Sequence, residues 1–402
     1  MQFSDRKKAD RFVLLCAFTY FISYVTRTNY GAIIAEMVTS TGQTKSALAY
    51  ALTGSFITYG AGQLVSGYFG DRVQPKLLIT VGLLTTIVMN GLIPICGNTV
   101  QMTVVWCING FAQSFMWPPM VKLMATLLSA EEYNVGCVRV SWGGSLGTMF
   151  IYLVSPILIS LVGWKSVFWM AALLGICGVV LWWKLCPNIE MVASSVAYIG
   201  EKKKTRRILS PVLVVTLLAI LIQGTLRDGV TTWMPSYIAE VFRLRNEVAI
   251  LVGVVLPLFS ILCHHITGVI HRRKLTNMFQ CAAAIFGAGA AAALLLYLLA
   301  DGSTVGSVLF LSLLAGCMHG VNLLLVCMLP PFFAKGGKVS VVSGLMNSAT
   351  YVGSALSAYV IPLATENAGW SVTLLLWLAL AVVGTALCAV CIPAWKKLAG
   401  RE

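Results

Sequence analysis

Charge is scarce in this sequence, and negative charge is scarcest. Only 10% of the 402 residues are charged, with 14 acidic against 28 basic side chains. A soluble domain carries roughly 25% charged residues. A chain that is 58% hydrophobic therefore lacks the polar surface to cover a globule in water. Histidine is rarer still, at four residues, so a metal centre built on imidazole has little to draw on. Twelve cysteines are present, but nearly all fall inside apolar runs, where Cys acts as a small hydrophobe. The one close pair, Cys388 and Cys391, has no second Cys or His pair after it and reads as helix packing. No nucleophile–His–acid set, metal-ligand cluster or glycine-rich phosphate loop occurs in the segments between the apolar runs. No enzyme activity and no cofactor are expected. No small-residue cleavage site closes a short apolar region near the start, so the first apolar run is expected to be retained rather than removed as a signal peptide.

Long apolar runs are what the sequence does have. A helix needs about 20 such residues to cross a hydrocarbon core. Six spans are expected at 11–36, 46–69, 77–96, 100–128, 136–160 and 163–186, and six more at 210–239, 247–270, 277–300, 304–329, 341–366 and 369–392. With the N-terminus placed in the cytoplasm, 22 of the 28 Lys and Arg residues fall on that side. Lys45, Lys165, Arg243 and Arg245 fall outside, and Arg27 and Arg227 lie within spans. The net charge of +14 therefore reads as membrane orientation and not as a nucleic-acid surface. This places both termini and the central loop in the cytoplasm, and the chain in a bacterial inner membrane. The run from Glu201 to Arg207 reads as a solvated linker that touches at most anionic headgroups.

The two sets of spans repeat one another. Arg27 and Arg227 each lie in the first span of a half. Gly70–Asp71–Arg72 corresponds to Ile270–His271–Arg272, Trp117–Pro118–Pro119 to Leu329–Pro330–Pro331, and Gly163–Trp164 to Gly369–Trp370. The expected fold is an all-α membrane protein of twelve transmembrane helices in two pseudosymmetric six-helix bundles. The bundles take residues 1–186 and 210–402, joined by a cytoplasmic linker at 187–209. Parallel halves around a mid-membrane site are the build of major facilitator transporters. The expected partners are a small anionic substrate and the lipid bilayer, with no nucleic acid and with a monomer as the working unit.

A guanidinium at the bilayer centre costs about 2.5–3.5 kcal/mol on insertion scales, and Arg does not escape by deprotonating. Arg27 and Arg227 are therefore expected to face a watery cavity. In span 1, Tyr20, Ser23, Tyr24, Arg27 and Thr28 form one polar stripe at helical spacing, and Gln223, Arg227 and Thr231 form another in span 7. Two arginines in equivalent places suit a phosphate or carboxylate that takes bidentate bonds. The competing reading makes each a structural tie. Asp228 keeps that reading open, although adjacent helical residues point about 100° apart and need not pair. His319 with Asn322, Asn109 with Gln113 and Asn347 with Tyr351 read equally well as cavity lining or as bonds between helices. His264 and His265 read as packing, and Glu36 as solvated. Close-set glycines at 60, 62 and 67, and at 136, 143, 144 and 147, suit either sliding faces between the halves or static packing.

Several segments carry a family resemblance. The run from Gly67 to Lys76 resembles the loop signature of the major facilitator superfamily, which implies that Asp71 and Arg72 pair with charges or helix ends at a cytoplasmic gate. Tyr20 through Tyr30, Tyr59–Gly60, Trp117–Pro118–Pro119, Leu226–Arg227–Asp228–Gly229 and Trp233 through Tyr237 resemble the organophosphate:phosphate antiporter family, which includes the glycerol-3-phosphate transporter. The resemblance implies that Arg27 and Arg227 hold a phosphoryl group with Tyr20 and Tyr24 beside it. It also implies that Tyr351 lines the cavity, and that an organophosphate exchanges for inorganic phosphate by alternating access. Two departures stand out. Gln63 falls where the glycerol-3-phosphate transporter has a lysine, and Ser145 where it has a histidine. Asp228 adds a negative charge, so the cavity is less cationic than the prototype and favours a monoanion over a dianion. Proton-coupled symport of a monocarboxylate such as a sugar acid is the alternative, resting on Gln63, Ser145 and Asp228. A transporter-like membrane sensor is the third reading.

Overall fold

The computed structural model describes residues 3, 5–189, 211–243, 252–299, 302–333 and 338–399. The basic run at 201–207, Arg245, Lys335 and Arg401 lie outside the described residues. Helices start where the sequence supplies a cap or a proline. Asp5 accepts the Lys7 N–H at 2.9 Å to open α1 (Arg6–Ala32), which Ile33 separates from the short α2 (Ile34–Thr41). Thr44 caps α3 (Lys45–Gly70) through the Ala47 N–H, and Pro75 begins α4 (Pro75–Leu92). Asn98 caps α5 (Thr99–Gln113), and the chain restarts as α6 (Trp117–Leu127). A reciprocal Ser129–Glu132 box opens α7 (Ala130–Val162), which α8 (Lys165–Leu185) follows. The later helices are α9 (Pro211–Phe242), α10 (Val255–Arg273), α11 (Met278–Leu298), α12 (Thr304–Asn322), the single turn α13 (Pro330–Phe333) and α14 (Val339–Ala399).

These helices follow the expected spans, with three breaks that apolarity alone does not reveal. Span 1 divides at Ile33. Span 4 divides at residues 114–116, before Trp117–Pro118–Pro119, and span 10 passes through a π-helical stretch at Leu323–Met328 before Pro330–Pro331. Proline has no N–H for the preceding turn but fits the first turn of a new helix, so each proline pair reads as a restart. The opening of span 8 lies outside the described residues. Spans 11 and 12 form α14, interrupted at Gly369, whose φ is 76°. Gly163 makes the matching break between α7 and α8 with φ 102°. Only glycine takes positive φ cheaply, so this sequence match carries a shared turn.

Packing divides the chain into two units. The first holds Met1–Lys204 with Pro330–Ser348, and the second Thr205–Leu329 with Ala349–Glu402. In the first, α1 lies along α7 and α8, α3 along α5, and α4 along α8. A Cβ at Gly143 or Gly147 would run into the Ala17 or Phe21 carbonyl oxygen, and one at Gly144 into the Tyr24 ring. These three glycines therefore set helix packing inside one unit and do not form a sliding face between halves. In the second unit α12 lies along α9, α10 and α11. Large apolar side chains remain exposed on the outer faces, among them Leu14, Leu153, Leu173, Leu218 and Val390. In water they would form sticky patches; in a bilayer they are the required surface. Among the described residues no strand occurs, and eight helices are long and apolar enough to cross a membrane. Cys388 and Cys391 are buried free thiols.

Candidate functional site

In the first unit the polar stripe of α1 divides in two. Tyr20, Tyr24 and Arg27 come together with residues of two other helices. The Arg27 guanidinium sits 4.2 Å from the ring centroid of Tyr24 and 4.9 Å from that of Tyr59 on α3. Tyr20 packs edge-on against Tyr24 at 5.0 Å and lies 5.1 Å from Trp117 at the start of α6. Ring faces attract a cation without neutralising it. Ser23 turns inward and donates to Gln113 Oε1 at 2.6 Å, while Thr28 returns its proton to the Tyr24 carbonyl oxygen.

That inward side is a closed polar core. Gln113 Nε2 donates to Thr26 and Thr86 hydroxyls at 2.9 Å each, and Thr86 donates to Asn109. Asn109 and Asn90 both donate to the Thr26 carbonyl oxygen, and Asn29 donates to Asn90 at 2.7 Å. Asn109 and Gln113, for which a cavity reading stood open, tie α1, α4 and α5 together out of solvent. Gln63 is also fully buried, with Nε2 only 3.4 Å from the Ser114 carbonyl oxygen and Oε1 without a hydrogen-bond partner among the described residues. Ser145 is nearly buried on α7.

Asp71, just past α3, meets the start of α14 within this same unit. Its carboxylate accepts the Ser340 N–H at 3.2 Å and the Val341 N–H at 3.0 Å, and Lys122 lies 3.5 Å away. A negative charge at a helix N-terminus is favourable. Burial nevertheless raises the Asp71 carboxyl above its ordinary range, opposed by the Val341 N–H, Lys122 and the Ser340 N–H. Arg72 turns away, donating to the Tyr68 carbonyl oxygen at 3.0 Å with its guanidinium 3.6 Å from the Tyr68 ring centroid.

The second unit handles its arginine differently. Arg227 on α9 is nearly buried and pairs with its own neighbour: Nε donates to Asp228 Oδ1 at 2.7 Å and Nη2 to Oδ2 at 2.9 Å. Helical neighbours diverge at the Cβ, but the long Arg stem swings back to the short carboxylate, which Ser354 on α14 fixes by donating to Oδ2. One turn before Arg227, Gln223 is buried. It donates to the Met318 carbonyl oxygen at 3.1 Å and accepts from Asn322 at 3.5 Å, while Thr231 donates to the Arg227 carbonyl oxygen. His319 faces His264, with ring centroids 5.4 Å apart. Tyr351 is nearly buried one turn before Ser354. Ser354 went unmarked in the sequence, and its one signal was the i, i+3 spacing from Tyr351.

Residues 16–358 match the family model described as Major Facilitator Superfamily. The chain belongs to this superfamily. It is 29% identical over 167 residues to the membrane sensor protein UhpC of Salmonella typhimurium, covering 41% of this chain and 38% of that protein. It is 25% identical over 147 residues to a probable hexose phosphate transport protein of Chlamydia trachomatis, covering 37% and 32%. It is 26% identical over 161 residues to the glycerol-3-phosphate transporter of Bacillus subtilis, covering 38% and 35%. Each match therefore spans well under half of the relative's length. The fold is similar to that of the human organic anion transporter MFSD10 (TM-score 0.75, 14% identity, 94% of this chain and 99% of that one). It is similar also to the proton:xylose symporter XylE (TM-score 0.77, 11% identity, 98% and 96%). The motif resemblance to the organophosphate:phosphate antiporters thus meets relatives of which two are named for phosphate esters.

Proposed function

We propose that this superfamily member is a secondary active transporter of a small organic anion, an organophosphate exchanged for inorganic phosphate by alternating access. It works as a monomer in a bacterial inner membrane with both termini cytoplasmic. The observation that carries the reading is the Arg227 fork, which already holds an oxyanion by two parallel charge-assisted bonds, the arrangement a phosphoryl oxygen pair needs. Arg27 on its aromatic seat is the second proposed anion-binding charge, with Tyr20, Tyr24, Gln63, Ser145, Gln223, His319, Asn322 and Tyr351 as the further substrate-binding residues of this reading. Asp71 and Arg72 serve the cytoplasmic gate. The hexose phosphate and glycerol-3-phosphate names of two relatives support the substrate class.

The test is uptake of labelled phosphate by proteoliposomes, with and without internal phosphate, at neutral pH and no proton gradient. Uptake that requires internal phosphate is expected. Its absence in folded protein would instead favour proton-coupled symport of a monocarboxylate, the reading to which Asp228 in the fork lends weight. A sensor reading draws support from the UhpC match, and substrate accumulation inside vesicles excludes a pure sensor.

A further inference from the structure

An arginine fork closed by its own chain raises the question of how a ligand gets in. Asp228 takes both Nε and Nη2 of Arg227, so an external oxyanion cannot use that edge while the carboxylate stays. The Asp228 side chain keeps 26% exposure against 9% for Arg227, so the carboxylate is the more open member of the pair. Ser354 is the unusual partner. Its hydroxyl donates to Asp228 Oδ2 and also lies 3.0 Å from the Thr350 carbonyl oxygen. A hydroxyl has one proton and two lone pairs. With Asp228 ionised, that proton goes to Oδ2. With Asp228 protonated, the carboxyl donates to Ser354 Oγ and the serine proton moves to Thr350. Both protonation states of Asp228 are therefore satisfied without leaving a buried group unpaired.

The serine is held where this exchange needs it. A Cβ at Gly224 would collide with the Thr350 carbonyl oxygen and one at Gly353 with that of Leu221, while Thr225 donates to the Gly353 carbonyl oxygen at 3.1 Å. These contacts clamp α9 to α14, so Asp228 has a fixed hydroxyl to lean on and Arg227 a fixed depth.

We propose that Asp228 is an internal occupant of the Arg227 fork, that the transported anion replaces it, and that the displaced carboxylate takes up one proton from water. The exchange balances. Nε–H and Nη2–H turn from Asp228 to the anion, one O–H bond of a hydronium ion breaks to leave water as one O–H bond forms on Asp228, and the Ser354 O–H turns from Oδ2 to the Thr350 carbonyl oxygen. Arg227 with ionised Asp228 is neutral. Arg227 with a bound monoanion and protonated Asp228 is neutral again, whereas an ionised Asp228 beside the anion would leave a desolvated negative charge. Each anion seated at Arg227 thus brings one proton. Among the described residues, the titratable groups on the neighbouring helices are His264 on α10 and His319 on α12, which face each other, and Tyr351, three residues before Ser354 on α14. The inference rests on the reading that Arg227 meets the substrate.

Calorimetry of the full-length protein in detergent, in buffers of different ionisation enthalpy, counts protons per bound anion. The probes are inorganic phosphate and gluconate. Asp228→Asn is expected to bind at least tenfold more tightly and to take up about one proton fewer than wild type, while His319→Gln keeps the wild-type count. Ser354→Ala, which loosens the carboxylate without removing it, is expected to bind a few-fold more tightly with the count unchanged. It serves where Asp228→Asn does not fold. Weaker binding by Asp228→Asn at an unchanged count would make Asp228 a mere positioning group and overturn the proposal, as would loss of the proton in His319→Gln alone. Equal affinity in Ser354→Ala and wild type also counts against it. Gluconate binding without phosphate binding removes the organophosphate reading and leaves the proton difference readable. Phosphate binding with no proton difference keeps that reading and removes this one. Binding of neither probe by folded wild type removes both.

Discussion

Arg27 and Arg227 hold matching places in the two halves, yet the first sits over the rings of Tyr24 and Tyr59 while the second grips the carboxylate beside it. The difference is electrostatic before it is geometric. A ring quadrupole steadies a cation and leaves its charge intact; a bidentate carboxylate cancels it. The polar groups around the two arginines divide in the same way. In the first unit, Asn29, Asn90, Asn109, Gln113 and Thr86 spend their bonds on one another in a sealed core. In the second, Ser354 holds the acid, Gln223 bonds to Asn322 one turn before the arginine, and His264 faces His319. One half seats its cation on two rings. The other pairs its cation with a carboxylate.

The comparison breaks first if either arginine is dispensable. Arg27→Lys and Arg227→Lys keep a positive charge but lose the planar fork. A hydrogen bond to a charged group is worth about 1.5–3 kcal/mol, so each variant should express normally and lose about 10- to 100-fold in transport. Full activity in either removes that arginine from the site.

The sealed core of the first unit should fail as structure and not as chemistry. Gln113→Leu strands the Ser23 hydroxyl and takes a donor from Thr26 and Thr86. Each stranded buried group costs about 1–3 kcal/mol. The thermal midpoint in detergent is expected to fall by on the order of 5 °C, with transport per folded molecule unchanged. A variant that stays stable but no longer transports would place Gln113 in the pathway after all.

Much of this was legible in the sequence, for reasons that differ from residue to residue. The apolar runs located the helices because a bilayer leaves few alternatives to a helix of about 20 residues. The positive-φ turns at Gly163 and Gly369 were carried by the Gly–Trp match between the halves. Periodicity also put Arg27, Tyr20 and Tyr24 on one face. It misassigned Ser23, whose side chain lies at the edge of that stripe and bonds inward to Gln113. The Arg227–Asp228 pair stayed open in the sequence because spacing rules compare Cβ directions, and a four-bond side chain reaches around them. Ser354 went unmarked for a plainer reason: serine is common among the small residues at which membrane helices cross, and only a neighbour on another helix gives it a task.

The aromatic seat gives a finer test. If the Tyr24 ring face supports Arg27, Tyr24→Phe should transport close to wild type. Tyr24→Leu should bind the anion about 2- to 30-fold more weakly, from a cation–π contribution of about 0.5–2 kcal/mol. Equal losses in both variants would move the Tyr24 role from the ring to the hydroxyl.

The smallest expected effect lies at Asp71, a carboxylate that, like Asp228, has a cation beside it. Its bonds to the Ser340 and Val341 N–H groups and to Lys122 all favour the charged form, yet burial outweighs them and raises its carboxyl. A folded value above the unfolded one means that folding favours the protonated form. The stabilisation is complete below the ordinary carboxylate range and is lost as pH rises through the raised value. The wild-type midpoint should therefore climb by on the order of 1–2 °C as the pH falls from neutral toward that range. Asp71→Asn, neutral at every pH and keeping one of the two oxygens that accept the Ser340 and Val341 N–H groups, should stay near wild type at neutral pH and lose the slope. A lower midpoint for Asp71→Asn at neutral pH would show that the helix end and Lys122 outweigh burial, and Asp71 would then be a clasp that holds only while charged.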